Sequence, residues 1–151
     1  MNKSIDIIRQ PRLFALGLIT ELSLEQLNHI PAGFNNNIAW NLGHMVAAQQ
    51  TICYVRGGVD IKVEPDFQDL YKSGTKPERA FGADDMATIK TLLTSTLDQL
   101  AIDLETDIFD GYTPWTTRYG VPITSVADAV QFLPFHDGLH LGVINSMKRL
   151  V

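Results

Sequence analysis

At 151 residues, 45% hydrophobic and 19% charged, the chain has the composition of one globular domain, long enough to remove roughly 70% of its unfolded surface from water. A net charge of −5 opposes binding to nucleic acid or an anionic membrane, which need basic patches, and no window approaches 18 uninterrupted apolar residues. A single cysteine, Cys53, excludes an internal disulfide; charges also interrupt residues 1–10, where a secretion signal would be apolar, so the expected location is the cytoplasm.

Apolar residues Ile5, Ile8, Leu13 and Leu16, with Ile19 or Thr20, recur at helical spacing and predict a first helix from about Ser4 to Leu22, with Pro11 kinking it or marking where its main body begins. Ser23-Leu24-Glu25-Gln26 has a serine cap backed by acidic and amide residues, and starts a short helix that ends before Pro31. Asn35, Asn36 and Asn37 offer caps for a second long helix, from Ile38 to about Arg56, stopped by Gly57 and Gly58. Residues 59–82 are punctuated by Pro65, Gly74, Pro77 and Gly82 and read as irregular, with one helical turn around Phe67 to Tyr71. Asp84 caps a third helix from Asp85 to about Asp103, striped by Met86, Ile89, Leu92 or Leu93, Thr96, Leu97, Leu100 and Leu104. Residues 106–123 are irregular and mildly β-prone around Trp115 to Tyr119. Thr124 or Ser125 then caps a last helix reaching about Leu150.

Four long helices without a convincing set of strands predict an all-α, single-domain four-helix bundle over residues 1–151. Antiparallel neighbours need only a short loop, whereas the long link between the second and third helices permits an overhand crossing between parallel ones. An up-down-down-up order follows.

The chemistry concentrates in four histidines. His136 and His140 are four residues apart, so a helix puts both imidazoles on one face, one turn apart. Ala129, Leu133, His136, His140, Val143 and Met147 form that face, which should point into the bundle. On the second helix Asn37, Trp40, His44, Ala47 or Ala48 and Thr51 form a comparable stripe. Three imidazoles from two facing helices, His44, His136 and His140, make a ligand set with an open side, as catalytic metal sites have. Imidazole suits zinc, nickel, iron or copper, and spacing does not choose among them. The competing reading is three hydrogen-bonded core histidines. Pro134, Gly138 and Gly142 loosen the same helix, and the two glycines remove bulk where a helix or ligand would approach.

Rival motifs fail. A zincin needs His-Glu-x-x-His, and position 137 is Asp137; no glutamate has the context of a di-iron bundle; Gly57-Gly58 lacks the residues of a phosphate loop. Cys53, nine residues beyond His44, reads as core packing, as does Trp40, which is secondarily placed to wall the pocket. His29 reads as an exposed connection residue. Trp115, Arg118 and Tyr119 read as a loop packed over a bundle end, with a substrate entrance as the alternative.

The stretches Asn37-Ile38-Ala39-Trp40-Asn41-Leu42-Gly43-His44 and His136-Asp137-Gly138-Leu139-His140-Leu141-Gly142 resemble the second-helix and last-helix signatures of the DinB-like superfamily, which includes the YfiT-type proteins. Leu24 to Leu27, Leu70 to Gly74 and Gly120 to Ser125 fit in the same order, so the resemblance spans essentially the whole chain. It implies an up-down-down-up bundle, commonly a homodimer, with a divalent ion such as zinc, nickel or iron on His44, His136 and His140. It also implies a small-molecule substrate and thiol-dependent S-transferase chemistry with a low-molecular-weight thiol such as bacillithiol or mycothiol, as in the mycothiol-dependent maleylpyruvate isomerase. A non-enzymatic bundle with a stress-response or interaction role is the alternative. Leu141 and Val143 stand where many relatives are polar, and no basic cluster for an anionic thiol is evident in the sequence.

Overall fold

The computed structural model describes residues 3–151, so the first two positions of the N-terminal run lie outside it. Helix α1 (Lys3–Leu18) buries Ile5, Ile8, Arg12 and Ala15, a stripe spaced by three or four residues. It continues through Pro11. The carbonyl that loses its partner there belongs to Ile7, an exposed residue that water can serve. Helix α1 ends at Leu18 rather than Leu22, with residues 19–21 forming a turn. Helix α2 (Leu24–Asn28) carries the full capping box: Ser23 Oγ accepts from the Gln26 N–H, and the Gln26 side chain accepts from the Ser23 N–H.

Asn37 Oδ1 accepts from the Trp40 N–H at 2.8 Å and starts helix α3 (Ile38–Gln49), every residue of which is buried. A fully buried helix has no polar face to betray its period. The expected continuation as α-helix to Arg56 is corrected: from Gln50 to Val55 the turn widens into a π-helix, and the Arg56 N–H donates to the Thr51 carbonyl five residues back at 3.1 Å. Within the crossover, helix α4 (Pro65–Tyr71) is longer than the single turn expected, with Pro65 in the first position, where its missing N–H costs nothing. Helix α5 (Ala83–Asp103) begins two residues early. Gly82 occupies the cap position and donates its N–H to the Asp85 carboxylate at 2.7 Å, so Asp85 does the work assigned to Asp84.

Two-residue strands β1 (Trp115–Thr116) and β2 (Pro122–Ile123) pair antiparallel, Trp115 opposite Ile123. Ser125 then caps helix α6 (Val126–Met147), its side chain accepting from the Asp128 N–H.

Helix α1 packs on α5 and α6, and α3 packs on the same two. Two apolar clusters fill the space between. One joins Ala15 and Ile19 to the first turns of α3, to Met86, Ile89 and Leu93, and to Ile144 and Met147. The other joins Ile5 and Ile8 to Cys53 and Tyr54, to Leu97 and Leu100, and to Ala129, Val130 and Leu133. Each fully buried Leu, Ile, Val or Met side chain among them stabilises the fold by about 1.5–3 kcal/mol.

A polar knot lies in the core. Arg12, wholly buried, donates from Nε to Asp137 Oδ2 at 2.7 Å, from Nη1 to Gln49 Oε1 and the Leu93 carbonyl, and from Nη2 to the Met45 carbonyl. Gln49 also donates to the Thr96 carbonyl and accepts from the Thr96 hydroxyl. One arginine thereby ties together all four long helices. A guanidinium survives in the core because its charge is paired and its donors are engaged.

Candidate metal centre

His44 lies in the second turn of α3, and His136 and His140 lie one turn apart on α6. The helices bring the three rings together, with a potential ligand nitrogen of each within 4.8 Å of the other two. Ring centroids are 4.7 Å apart for His44–His140 and for His136–His140, and 5.3 Å for His44–His136. The apolar face drawn through both α6 histidines is corrected. The fully buried residues there are Ala129, Val130, Leu133, Asp137, Ile144 and Met147, and the stripe passes through Asp137. His136 and His140 sit half-buried at its edge and face a cavity, while His44 is 7% exposed.

The tautomers are set from behind. His44 Nδ1 donates to the Tyr71 carbonyl at 2.7 Å, and His140 Nδ1 donates to Asn41 Oδ1 at 2.8 Å. His136 Nδ1 makes a longer contact, 3.4 Å, with Asp137 Oδ1. Acceptors facing all three Nδ1 atoms place the proton there and leave each Nε2 lone pair free, the arrangement in which ligating histidines are held. Asn41 is itself fixed, its amide donating to Asn36 Oδ1 and to the Asn37 carbonyl. Burial pushes the His44 pKa down to about 4, against the raising effect of its bond to Tyr71. Burial, and then the neighbouring His136 and His44, push His140 down to about 3. Both rings are neutral at pH 7, as a ligand must be.

These donors fit a divalent transition metal. Zinc–nitrogen bonds of about 2.0–2.1 Å ask the three nitrogens to close by less than about 1 Å each from a 4.8 Å separation, within the reach of small side-chain rotations.

Asp137, too short for a zincin base, has a different task. Its carboxylate lies between Arg12 and His136, so the core knot reaches the centre through one side chain. Burial works to raise the Asp137 pKa, but the Arg12 charge and the bonds from His136 and Arg12 outweigh it, and the net direction is down.

The cavity beside the histidines has a volume of about 590 Å³, a size that suits a small molecule. Trp40 stacks on His44, with centroids 4.6 Å apart and planes 9° from parallel, so it is both core and wall. Trp115, Arg118 and Tyr119 line the same cavity, and Trp115 also packs against the second apolar cluster, as the expected packing requires. Gly43 is required: a Cβ there would overlap the Tyr71 ring, whose close approach carries the carbonyl that holds His44. Gly138 and Gly142 are not. Both are exposed and nothing lies within 4 Å of where their Cβ would be, so the close approach expected at them does not occur. His29 caps the C-terminal end of α2, exposed and away from the cavity. Cys53 is in the core, where burial pushes its pKa up to about 12, so it offers no thiolate.

The parts played by Arg12, Gln49 and Tyr71 leave no local mark in the sequence. Asn41 stands out only as part of the second-helix motif. A backbone carbonyl reaching in from the crossover leaves no trace in side-chain pattern. Asn41 lies one turn before His44, and that was a usable signal, although it serves His140 on another helix.

A family model described as the DinB superfamily matches residues 12–144, a span that takes in Arg12, His44, Asp137 and both α6 histidines. Among curated proteins none matches the chain.

Proposed function

The chain belongs to the DinB superfamily, and we propose that it is a divalent-metal-dependent enzyme, with His44, His136 and His140 as ligands and a thiol S-transfer onto a small electrophile as its reaction. The single observation that carries the metal reading is the set of three Nδ1 atoms facing acceptors, which turns three Nε2 lone pairs to use. The same helices make an up-down-down-up bundle in one domain. The shared clusters support that order, since each pairs the end of α1 with the end of α6 and the start of α3 with the start of α5, or the reverse.

His44, His136 and His140 would hold the ion, whose positive charge would lower the pKa of a nearby thiol and favour the nucleophilic thiolate. The chain does the rest. Tyr71, Asn41 and Asp137 hold the imidazoles, while Trp40 limits how far the His44 ring can turn. Trp115, Tyr119 and Phe132 wall the cavity and displace water from the place where an S–C bond would form as a leaving group departs with its bonding pair.

Elemental analysis of protein purified without an affinity tag should find about one ion per chain, lost in His136→Ala. Metal that binds only the folded state, at 100-fold over its dissociation constant, adds about 2.7 kcal/mol to stability, so chelator should lower the melting temperature. Conjugation of a thiol to 1-chloro-2,4-dinitrobenzene, dependent on both metal and thiol, then tests the transferase. Stoichiometric metal without conjugation across a panel of thiols and electrophiles would favour a non-enzymatic metal-binding bundle.

A further inference from the structure

The cavity beside the histidines has a second chemistry that metal binding leaves unused. Its walls hold the side chains of Arg56 and Arg118 and no carboxylate, in a chain with 17 aspartates and glutamates against 12 lysines and arginines. Three other arginines are neutralised: Arg9 by Asp98, Arg12 by Asp137 and Arg79 by Asp85. Among the described residues, Arg56 and Arg118 have neither an ion pair nor a side-chain hydrogen bond. Each lies over an aromatic ring instead, Arg56 over Trp115 at 5.5 Å and Arg118 over Tyr119 at 5.7 Å. Stacking of this kind orients a guanidinium while leaving its N–H donors free for a planar anion.

Arg56 reaches the cavity because of the π-helix. In an uninterrupted α-helix, twelve positions after His44, it would sit about 120° round the axis from that histidine. The extra residue absorbed between Gln50 and Val55 turns it back by about 100°, onto the side that His44 occupies. Arg118 arrives separately, on the turn between β1 and β2. Two cations from unrelated segments thus converge on one concave, carboxylate-free surface. A second cavity of about 600 Å³ near Asp69, Lys76 and Glu78 mixes its charges and has no such bias.

We propose that Arg56 and Arg118 form an anion subsite, so that the cavity takes a small organic anion, a carboxylate or a phosphate ester. Its apolar body lies among Trp115, Tyr119 and Phe132 and its other end points toward the histidines. The subsite names the class of substrate for the metal-centred reading above and rests on that reading only for what happens at the far end.

The test is calorimetric titration of the full-length chain after chelator treatment, with benzoate and phenyl phosphate as probes and benzamide as the uncharged control. At least one anion should bind, with benzamide at least tenfold weaker. Arg56→Met and Arg118→Met should each weaken the anion by about tenfold or more while leaving metal content and melting temperature unchanged. Should Arg56→Met fail to fold, Arg118→Met decides alone, since Arg118 is exposed. The tighter of the two anions identifies the headgroup. Equal binding of benzamide, undiminished binding in the arginine variants, or no binding by either anion would overturn the subsite. Anion binding in a protein that never takes up metal would leave the subsite standing and remove the metal reading alone.

Discussion

Asp137 and His136 are neighbours on α6, yet they enter two polar environments built on opposite terms. On the core side, Asp137 and Arg12 are fully buried, and the donors and acceptors around them close on one another through Gln49, Thr96 and main-chain carbonyls. On the cavity side, three imidazoles are held only at Nδ1 and two guanidiniums lie unpaired. A closed polar network stabilises a particular packing of helices. An open one is kept in readiness for something that is not protein. Where groups are left unsatisfied is therefore a better guide to function than where polar residues are buried.

The contrast is most easily broken on the closed side. Asp137→Ala leaves the Arg12 charge buried without its partner and should cost about 3–5 kcal/mol, read as a lower midpoint in urea. Replacing both residues, Arg12→Met with Asp137→Leu, should recover most of that loss. A cost below about 1 kcal/mol for the single change would mean the pair is not sealed as described.

On the open side pH is the next lever. In metal-free protein His44 and His140 titrate well below the 6.5 of an unfolded histidine, so above that pH neither changes the stability. As the pH falls below 6.5 the unfolded chain takes up protons that the folded one refuses, and stability drops. By pH 4 the loss from His44 alone is about 3 kcal/mol. Denaturant midpoints across that range check it, and a flat profile from pH 7 to 4.5 would show the rings to be solvated.

Smallest is the effect of the tautomer support. Asn41→Ala removes the acceptor behind His140 and should weaken metal binding 10- to 100-fold, about 1.4–2.7 kcal/mol, by competition with a chromogenic chelator. An unchanged affinity would show that the ring needs no support.

Much of the helical layout was legible because caps and periodicity are local. Ser23 with Gln26, Asn37 and Ser125 all cap as read. The histidine triad was legible because one-turn spacing and a third histidine on another long helix constrain geometry without reference to distant contacts. What stayed hidden depends on three-dimensional partners. Nothing in the residues around Arg12 announces that Asp137, 125 positions later, will meet it. The π-helix was invisible because Gln50 to Val55 satisfies an α-helical pattern equally well. For the same reason Arg56 looks in the sequence like a helix end, and nothing there pairs it with Arg118.

The contact between Gly43 and Tyr71 gives the crossover an unusual rigidity of purpose. Surface connections ordinarily absorb insertions and deletions with little harm. This one ends α4 with the carbonyl that orients His44, and a few residues later supplies the Thr75 hydroxyl that accepts from the Trp40 indole at 3.0 Å. Lengthening it before Tyr71 would detach the histidine's anchor even if every helix stayed where it is. Anyone grafting a tag or a recognition loop into this protein should spare residues 59–75 and use Thr20 and Glu21, the exposed residues of the turn after α1, instead.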